Sequence, residues 1–72
     1  MKNKPTYDCH NKTYFEVSEE FENWLLLNSS KTPIDVITGN SENMKRLVLE
    51  YIKKHSFQYS VPLYNNGMII VY

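Results

Sequence analysis

Pro33-Ile34-Asp35-Val36-Ile37-Thr38-Gly39-Asn40-Ser41 is the stretch whose reading decides the fold. Ile34, Val36 and Ile37 form a short β-branched apolar run, which reads as a buried strand rather than a helix. Gly39 then offers a backbone free to take positive φ, and Asn40 or Ser41 is a good N-cap for a helix beginning just beyond. From Met44 the apolar residues recur at Met44, Leu47, Val48, Tyr51 and Ile52, the spacing of one helical face. The chain here runs strand, glycine turn, helix. Unpaired backbone N–H groups at the mouth of such a turn, backed by the helix dipole, suit an anion such as a phosphate. An ordinary capped βα turn uses the same residues, so the stretch points to an architecture before it points to a function.

Working upstream, Tyr7-Asp8-Cys9-His10 alternates as a strand does. That puts Asp8 and His10 on one face of the pleat and Cys9 on the other, as a buried thiol. Asn11-Lys12 is a turn. Thr13-Tyr14-Phe15-Glu16 is a capping box, in which hydroxyl and carboxylate satisfy reciprocal backbone donors. Tyr14, Val17, Phe21, Trp24 and Leu25 make the buried stripe of the first helix, with Trp24 as a core anchor and the glutamates facing water. Asn28 to Thr32 is a loop closed by Pro33.

Working downstream, the second helix ends near Lys53-Lys54-His55, cations that complement its C-terminal dipole. Phe57 to Tyr64 alternates, with Phe57, Tyr59, Val61 and Leu63 on one face, and Pro62 consigns that strand to a sheet edge. Asn66-Gly67 is a type I′ hairpin signal. Met68 to Tyr72 is apolar on both faces, which implies a central strand. The element order is βαβαββ. A right-handed crossover makes the first two strands parallel. A central last strand then gives a mixed four-stranded sheet of order 1-2-4-3, with that strand antiparallel to the others. The expected fold is of the α/β kind, an α+β two-layer sandwich over residues 6–72. Residues 1–5 read as a flexible, basic lead.

At 72 residues the chain is one domain, near the lower limit at which a core folds unaided. A hydrophobic content of 42% and an aromatic content of 14% argue against disorder. No apolar run approaches the roughly 20 residues of a membrane span, and no signal-peptide core follows the N-terminus. A cytoplasmic protein with no membrane partner is therefore expected. The single cysteine excludes an internal disulfide and a Cys-based zinc cage. Formal net charge is zero, which weighs against nucleic acid as a partner, but the charge is unevenly placed. Residues 14–28 hold Glu16, Glu19, Glu20 and Glu22 without a Lys or Arg. The rest of the chain is correspondingly basic and can present a basic face.

Tyr7-Asp8-Cys9-His10 resembles the Leu-Asp-x-His motif of the small MutS-related (Smr) domain family, where it ends the first strand. The family continues with Gly-x-Thr opening a helix; here Asn11-Lys12-Thr13 keeps the threonine. Thr38-Gly39-Asn40-Ser41 is similar, at a matching interval, to the family's Thr-Gly-x-Gly loop. Gly67-Met68-Ile69-Ile70-Val71 is similar to its glycine-plus-strand ending. The likeness spans residues 6–72. It implies a fold like the C-terminal domain of bacterial translation initiation factor 3, binding to DNA or RNA, and in several members endonuclease or nicking activity. Carried across, Asp8 and His10 are the catalytic or phosphate-facing pair, and Thr38, Gly39 and Asn40, with Ser41, form the nucleic-acid loop. Three positions depart from the pattern. Tyr7 stands for Leu, Asn11 for Gly, and Ser41 for the second loop Gly, where a Cβ stands in the way of a backbone phosphate.

By topology alone the C-terminal ends of strands one and two lie side by side, the usual ligand position in open α/β sheets. Asp8, His10, Lys12, Thr38, Gly39 and Asn40 converge there. In the mechanism this implies, His10 is the general base toward a water or a ribose hydroxyl, oriented by Asp8. Backbone N–H groups at Asn40 to Asn43 hold the phosphate, and Lys12, Lys45 and Arg46 contact its neighbours. Glu42, in the first turn, repels it. The structural alternative is that Asp8 braces the turn while His10 bonds a loop carbonyl. No cofactor is called for, and two donors without a third do not make a metal site. Tyr59, Tyr64 and Tyr72 suit base stacking, and equally the seal of a homodimer or of a larger protein assembly.

Overall fold

The computed structural model describes residues 4–72, so Met1 to Asn3 of the expected flexible lead lie outside the described residues. The chain forms β1 (Thr6–Asp8), α1 (Tyr14–Leu27), a 3-10 turn (Ser29–Lys31), β2 (Ile34–Ile37), α2 (Glu42–Lys54), β3 (Tyr59–Ser60) and β4 (Met68–Val71). The sheet order is β1-β2-β4-β3. β1 pairs parallel to β2 with Asp8 opposite Ile37, and β4 pairs antiparallel to both β2 and β3. This is the βαβαββ architecture with a 1-2-4-3 sheet that the patterning implies. Among the described residues no helix is long and apolar enough to cross a membrane.

Both helices cover one face of the sheet. Tyr7, Cys9, Ile34, Val36, Ile69 and Val71 are buried with Val17, Phe21 and Leu25 of α1 and Met44, Leu47, Val48 and Ile52 of α2. Strand alternation and register turn Thr6, Asp8, Asp35, Ile37, Met68 and Ile70 to the other, open face. Phe21 lies at the centre of the core, its ring 5.1 Å from Tyr7, 6.0 Å from Trp24 and 6.3 Å from Tyr51.

Local chemistry sets the helix starts. The Thr13 hydroxyl accepts the Glu16 N–H at 3.1 Å while the Glu16 carboxylate accepts the Thr13 N–H at 2.8 Å, the expected capping box. The Ser41 hydroxyl accepts the Met44 N–H at 3.1 Å. Such a cap is worth about 1 kcal/mol. Upstream of β1, the Pro5 carbonyl accepts the Asp35 N–H at 3.1 Å and the Lys4 ammonium lies 3.1 Å from the Asp35 carboxylate.

Four local expectations are corrected. β1 ends at Asp8, and His10 stands in a turn rather than on the pleat beside Asp8. Tyr14 is 53% exposed because it opens α1 beyond the edge of the core. β3 is two residues long rather than running on to Tyr64, since Pro62 has no N–H for the ladder and leaves Leu63 fully exposed. Asn66-Gly67 is not a type I′ turn, which requires positive φ at both central residues. Among the described residues only Gly39 and Ser56 have positive φ. The loop closes instead through the Asn65 N–H to Pro62 carbonyl bond at 3.2 Å and the Met68 N–H to Asn65 carbonyl bond at 3.3 Å.

Candidate nucleic-acid interface

Three loops meet at the C-terminal ends of β1 and β2. The Cys9 N–H donates to the Ile37 carbonyl at 2.8 Å, extending the β1–β2 ladder one residue past Asp8. The next loops, Cys9 to Thr13 and Thr38 to Ser41, therefore start about 4.8 Å apart. The third comes from the β3–β4 connection. The Gly67 carbonyl accepts the Thr38 N–H at 2.8 Å, the Gly39 N–H at 3.0 Å and the Thr38 hydroxyl at 3.2 Å. Close approach is possible because Gly67 carries no side chain: an ideal Cβ there would stand 3.2 Å from the Gly39 carbonyl oxygen.

These bonds divide the expected site residues into two groups. Thr38 is 4% exposed and its hydroxyl is spent on Gly67, so it fastens loops together and offers nothing to a ligand. Gly39, at φ +67°, makes the bend, with its own N–H also spent on Gly67. Ser41 spends its hydroxyl on the helix cap. Around the cap, the amides of Asn40, Ser41, Glu42 and Asn43 have no backbone acceptor among the described residues, and they open the dipole of α2.

Asp8 and His10 lie beside that bend without forming a carboxylate–imidazole pair. The Asp8 carboxylate accepts the His10 backbone N–H at 2.8 Å, an Asx turn that braces the chain as it leaves β1. The His10 side chain is exposed and makes no hydrogen bond among the described residues. An exposed imidazole of this kind can accept a proton from a water or hydroxyl. Asp8 positions the turn that carries it.

Cations are fewer than the sequence suggests. The Lys12 ammonium lies 2.9 Å from the Glu20 carboxylate and over the Tyr7 ring, 5.6 Å from its centroid. Tyr7 completes the group, its phenol donating to the same Glu20 oxygen at 2.8 Å. Lys12 first, then Tyr7, hold the Glu20 carboxyl below the usual carboxylate range. Burial, reinforced by Glu20, pushes the Tyr7 phenol well up. Lys45 lies 3.9 Å from Glu42, and Arg46 is exposed with no ion-pair partner among the described residues. Cys9 is buried and its thiol is pushed up to about 11, by burial and then by Asp8, so it stays protonated. Among the described residues no three His, Cys, Asp or Glu side chains gather as a metal site.

Sequence reasoning missed Glu20, whose tie to Lys12 and Tyr7 bridges α1 and the first loop over distances no local motif records. It also missed why Gly67 is a glycine, since the glycine itself was plain and its contact with Gly39 was not. No family model, curated protein or solved structure matches the chain.

Proposed function

We propose that the chain is a Smr-like nucleic-acid-binding domain that holds the phosphodiester backbone at the C-terminal ends of β1 and β2. The observation that supports the reading is the register of β1 on β2, by which the loop carrying the exposed His10 and the bend leading to the free amides of Asn40 to Asn43 start from adjacent strand ends. In this reading those amides hold a phosphate, Arg46 and Lys45 meet its neighbours, and Thr38, Gly39 and Ser41 keep the bend in shape. Cleavage is the second half of the proposal. His10 takes the proton of a water or ribose hydroxyl as its oxygen attacks phosphorus, the leaving oxygen departs with a proton from solvent, and Asp8 holds the turn.

Binding is tested by mobility shift of labelled DNA and RNA across a salt series, where affinity falls as salt rises. Nicking of supercoiled plasmid and cleavage of RNA are then compared for the parent, Asp8→Asn and His10→Ala. His10→Ala should abolish cleavage and Asp8→Asn should weaken it. Equal activity in all three ends the enzymatic half, and no shift at low salt ends the whole reading.

A second reading, a non-catalytic interaction module, draws support from the neutralisation of Lys12 by Glu20 and from the exposed Leu63 and Tyr64. It expects no shift with either nucleic acid, and self-association or capture of a protein instead.

A further inference from the structure

Of the three tyrosines suited to stacking, the fold leaves one at the phosphate end of the sheet. Tyr59 pairs across from Val71, and Val71 lies opposite Ile34 at the start of β2. Tyr59 and Tyr72 are thus at the far end, about 10 Å of strand away from the bend. Both are also engaged there: Lys53 sits over the Tyr59 ring at 6.0 Å, and the Tyr72 and Ser60 hydroxyls lie 3.1 Å apart. Tyr64 is different. It belongs to the loop that ends at Gly67, whose carbonyl takes the Thr38 and Gly39 amides.

That loop presents its apolar tip to solvent on a fixed base. Leu63 and Tyr64 are fully and 83% exposed. On either side of them the chain is held by the Asn65 N–H to Pro62 carbonyl bond and by the Asn65 side chain, which accepts the Gly67 N–H at 3.0 Å. A ring exposed on a braced loop loses little freedom when something stacks on it. Across Gly67 lies the Thr38–Gly39 bend, which leads directly into the backbone donors of Asn40 to Asn43, a set suited to an anion.

We infer that Tyr64 is the base-stacking residue of this interface, so that the ligand is a single strand, or an unpaired stretch, of nucleic acid. One nucleotide would place its base on the Tyr64 ring and its phosphate toward the Asn40 to Asn43 amides. The inference rests on the proposed phosphate-binding role of those amides, and adds that the site distinguishes an unpaired base from bare backbone. Paired bases, stacked on each other inside a duplex, have no free face for the ring.

The test compares a labelled oligothymidylate with an abasic phosphodiester chain of the same length and with a duplex, by fluorescence anisotropy at low salt. The parent should bind the oligothymidylate best. Tyr64→Ala should weaken that binding about tenfold, the scale of one lost base–aromatic stack, and leave the abasic chain unaffected. Tyr64→Trp should keep the preference and show indole quenching by the oligothymidylate alone. Tyr72→Ala, at the other end of the sheet, should change neither. Equal affinity of the parent for the base-bearing and abasic chains overturns the inference while sparing phosphate binding, as does a Tyr64→Ala loss that is absent or equal for both. If neither chain binds the parent, the phosphate reading fails and this inference fails with it.

Discussion

An ideal Cβ on Gly67 would stand 3.2 Å from the Gly39 carbonyl oxygen and 3.3 Å from its Cα, whereas one on Gly39 would meet nothing within 4 Å. Gly39 nonetheless sits at φ +67°. The two glycines thus answer different demands, one for space and one for conformation. Gly67→Ala should cost about 1–3 kcal/mol, because backbone rather than a flexible side chain must give way. It should also disturb the amide resonances of Thr38 and Gly39, whose acceptor it moves. Gly39→Ala should cost about 1–2 kcal/mol through the left-handed backbone alone, and Gly39→Asn less, since Asn tolerates that region. Urea unfolding of the three proteins measures this. A Gly67→Ala protein as stable as the parent would mean that the two loops are not clamped. The sequence marked both positions as turn glycines. It could not tell them apart, because the demand on Gly67 comes from a residue far away along the chain.

At the scale of elements, α2 ends without the glycine that usually announces a helix terminus. Ser56 takes φ +62° there, its N–H bonding the Lys53 carbonyl at 3.0 Å while the Phe57 N–H bonds the Ile52 carbonyl at 3.1 Å. That is a Schellman closure with serine at the left-handed position. Ser56→Gly should therefore stabilise the protein by about 0.5–1 kcal/mol, read as a higher denaturant midpoint with unchanged slope. An unchanged or lower midpoint would contradict the strain. The same helix end holds α1. His55 Nε2 lies 2.6 Å and Lys54 Nζ 3.1 Å from the Glu22 carboxylate, and the hydrogen bond from His55 above all keeps Glu22 below its usual range. A depressed carboxyl stabilises above its unfolded value and loses that effect as pH falls through the folded one. Glu22→Gln should then be less stable than the parent near pH 6, with the gap closing only as pH falls below the ordinary glutamate range and through the lowered Glu22 value. A gap independent of pH would assign the loss to packing. The helix starts, the strand order and the central place of β4 were all legible, since caps and alternation are local. The clip was not, because Glu22 and His55 meet only once both helices lie on the sheet, and the length of β3 turned on Pro62 rather than on alternation.

For the molecule as a whole, zero net charge sets how a nucleic acid can be held. Counterion release makes the salt dependence of binding a count of neutralised phosphates. Lys12 is tied to Glu20 and Lys45 stands near Glu42, leaving Arg46 as the cation at this end with no ion pair among the described residues. Log affinity against log salt should therefore fall with a shallow slope, about −0.7 to −1.4 for a single strand, as Arg46 alone or with Lys45 meets phosphate. Such a domain would owe more of its affinity to hydrogen bonds from fixed amides and to stacking than to charge, and would be poor at binding duplexes unspecifically. Glu42 is the place to test this. Its carboxylate lies in the first turn of α2, where it both draws Lys45 aside and competes with a phosphate for the helix dipole. Glu42→Gln should tighten binding several-fold and steepen the slope by about 0.7, as one more phosphate contact becomes available. Glu20→Gln should act similarly through Lys12, but should also lower stability, because Tyr7 donates to the same carboxylate. A parent slope steeper than about −4 would place the contacts on some other basic surface, and a Glu42→Gln protein with unchanged affinity would remove the start of α2 from the interface.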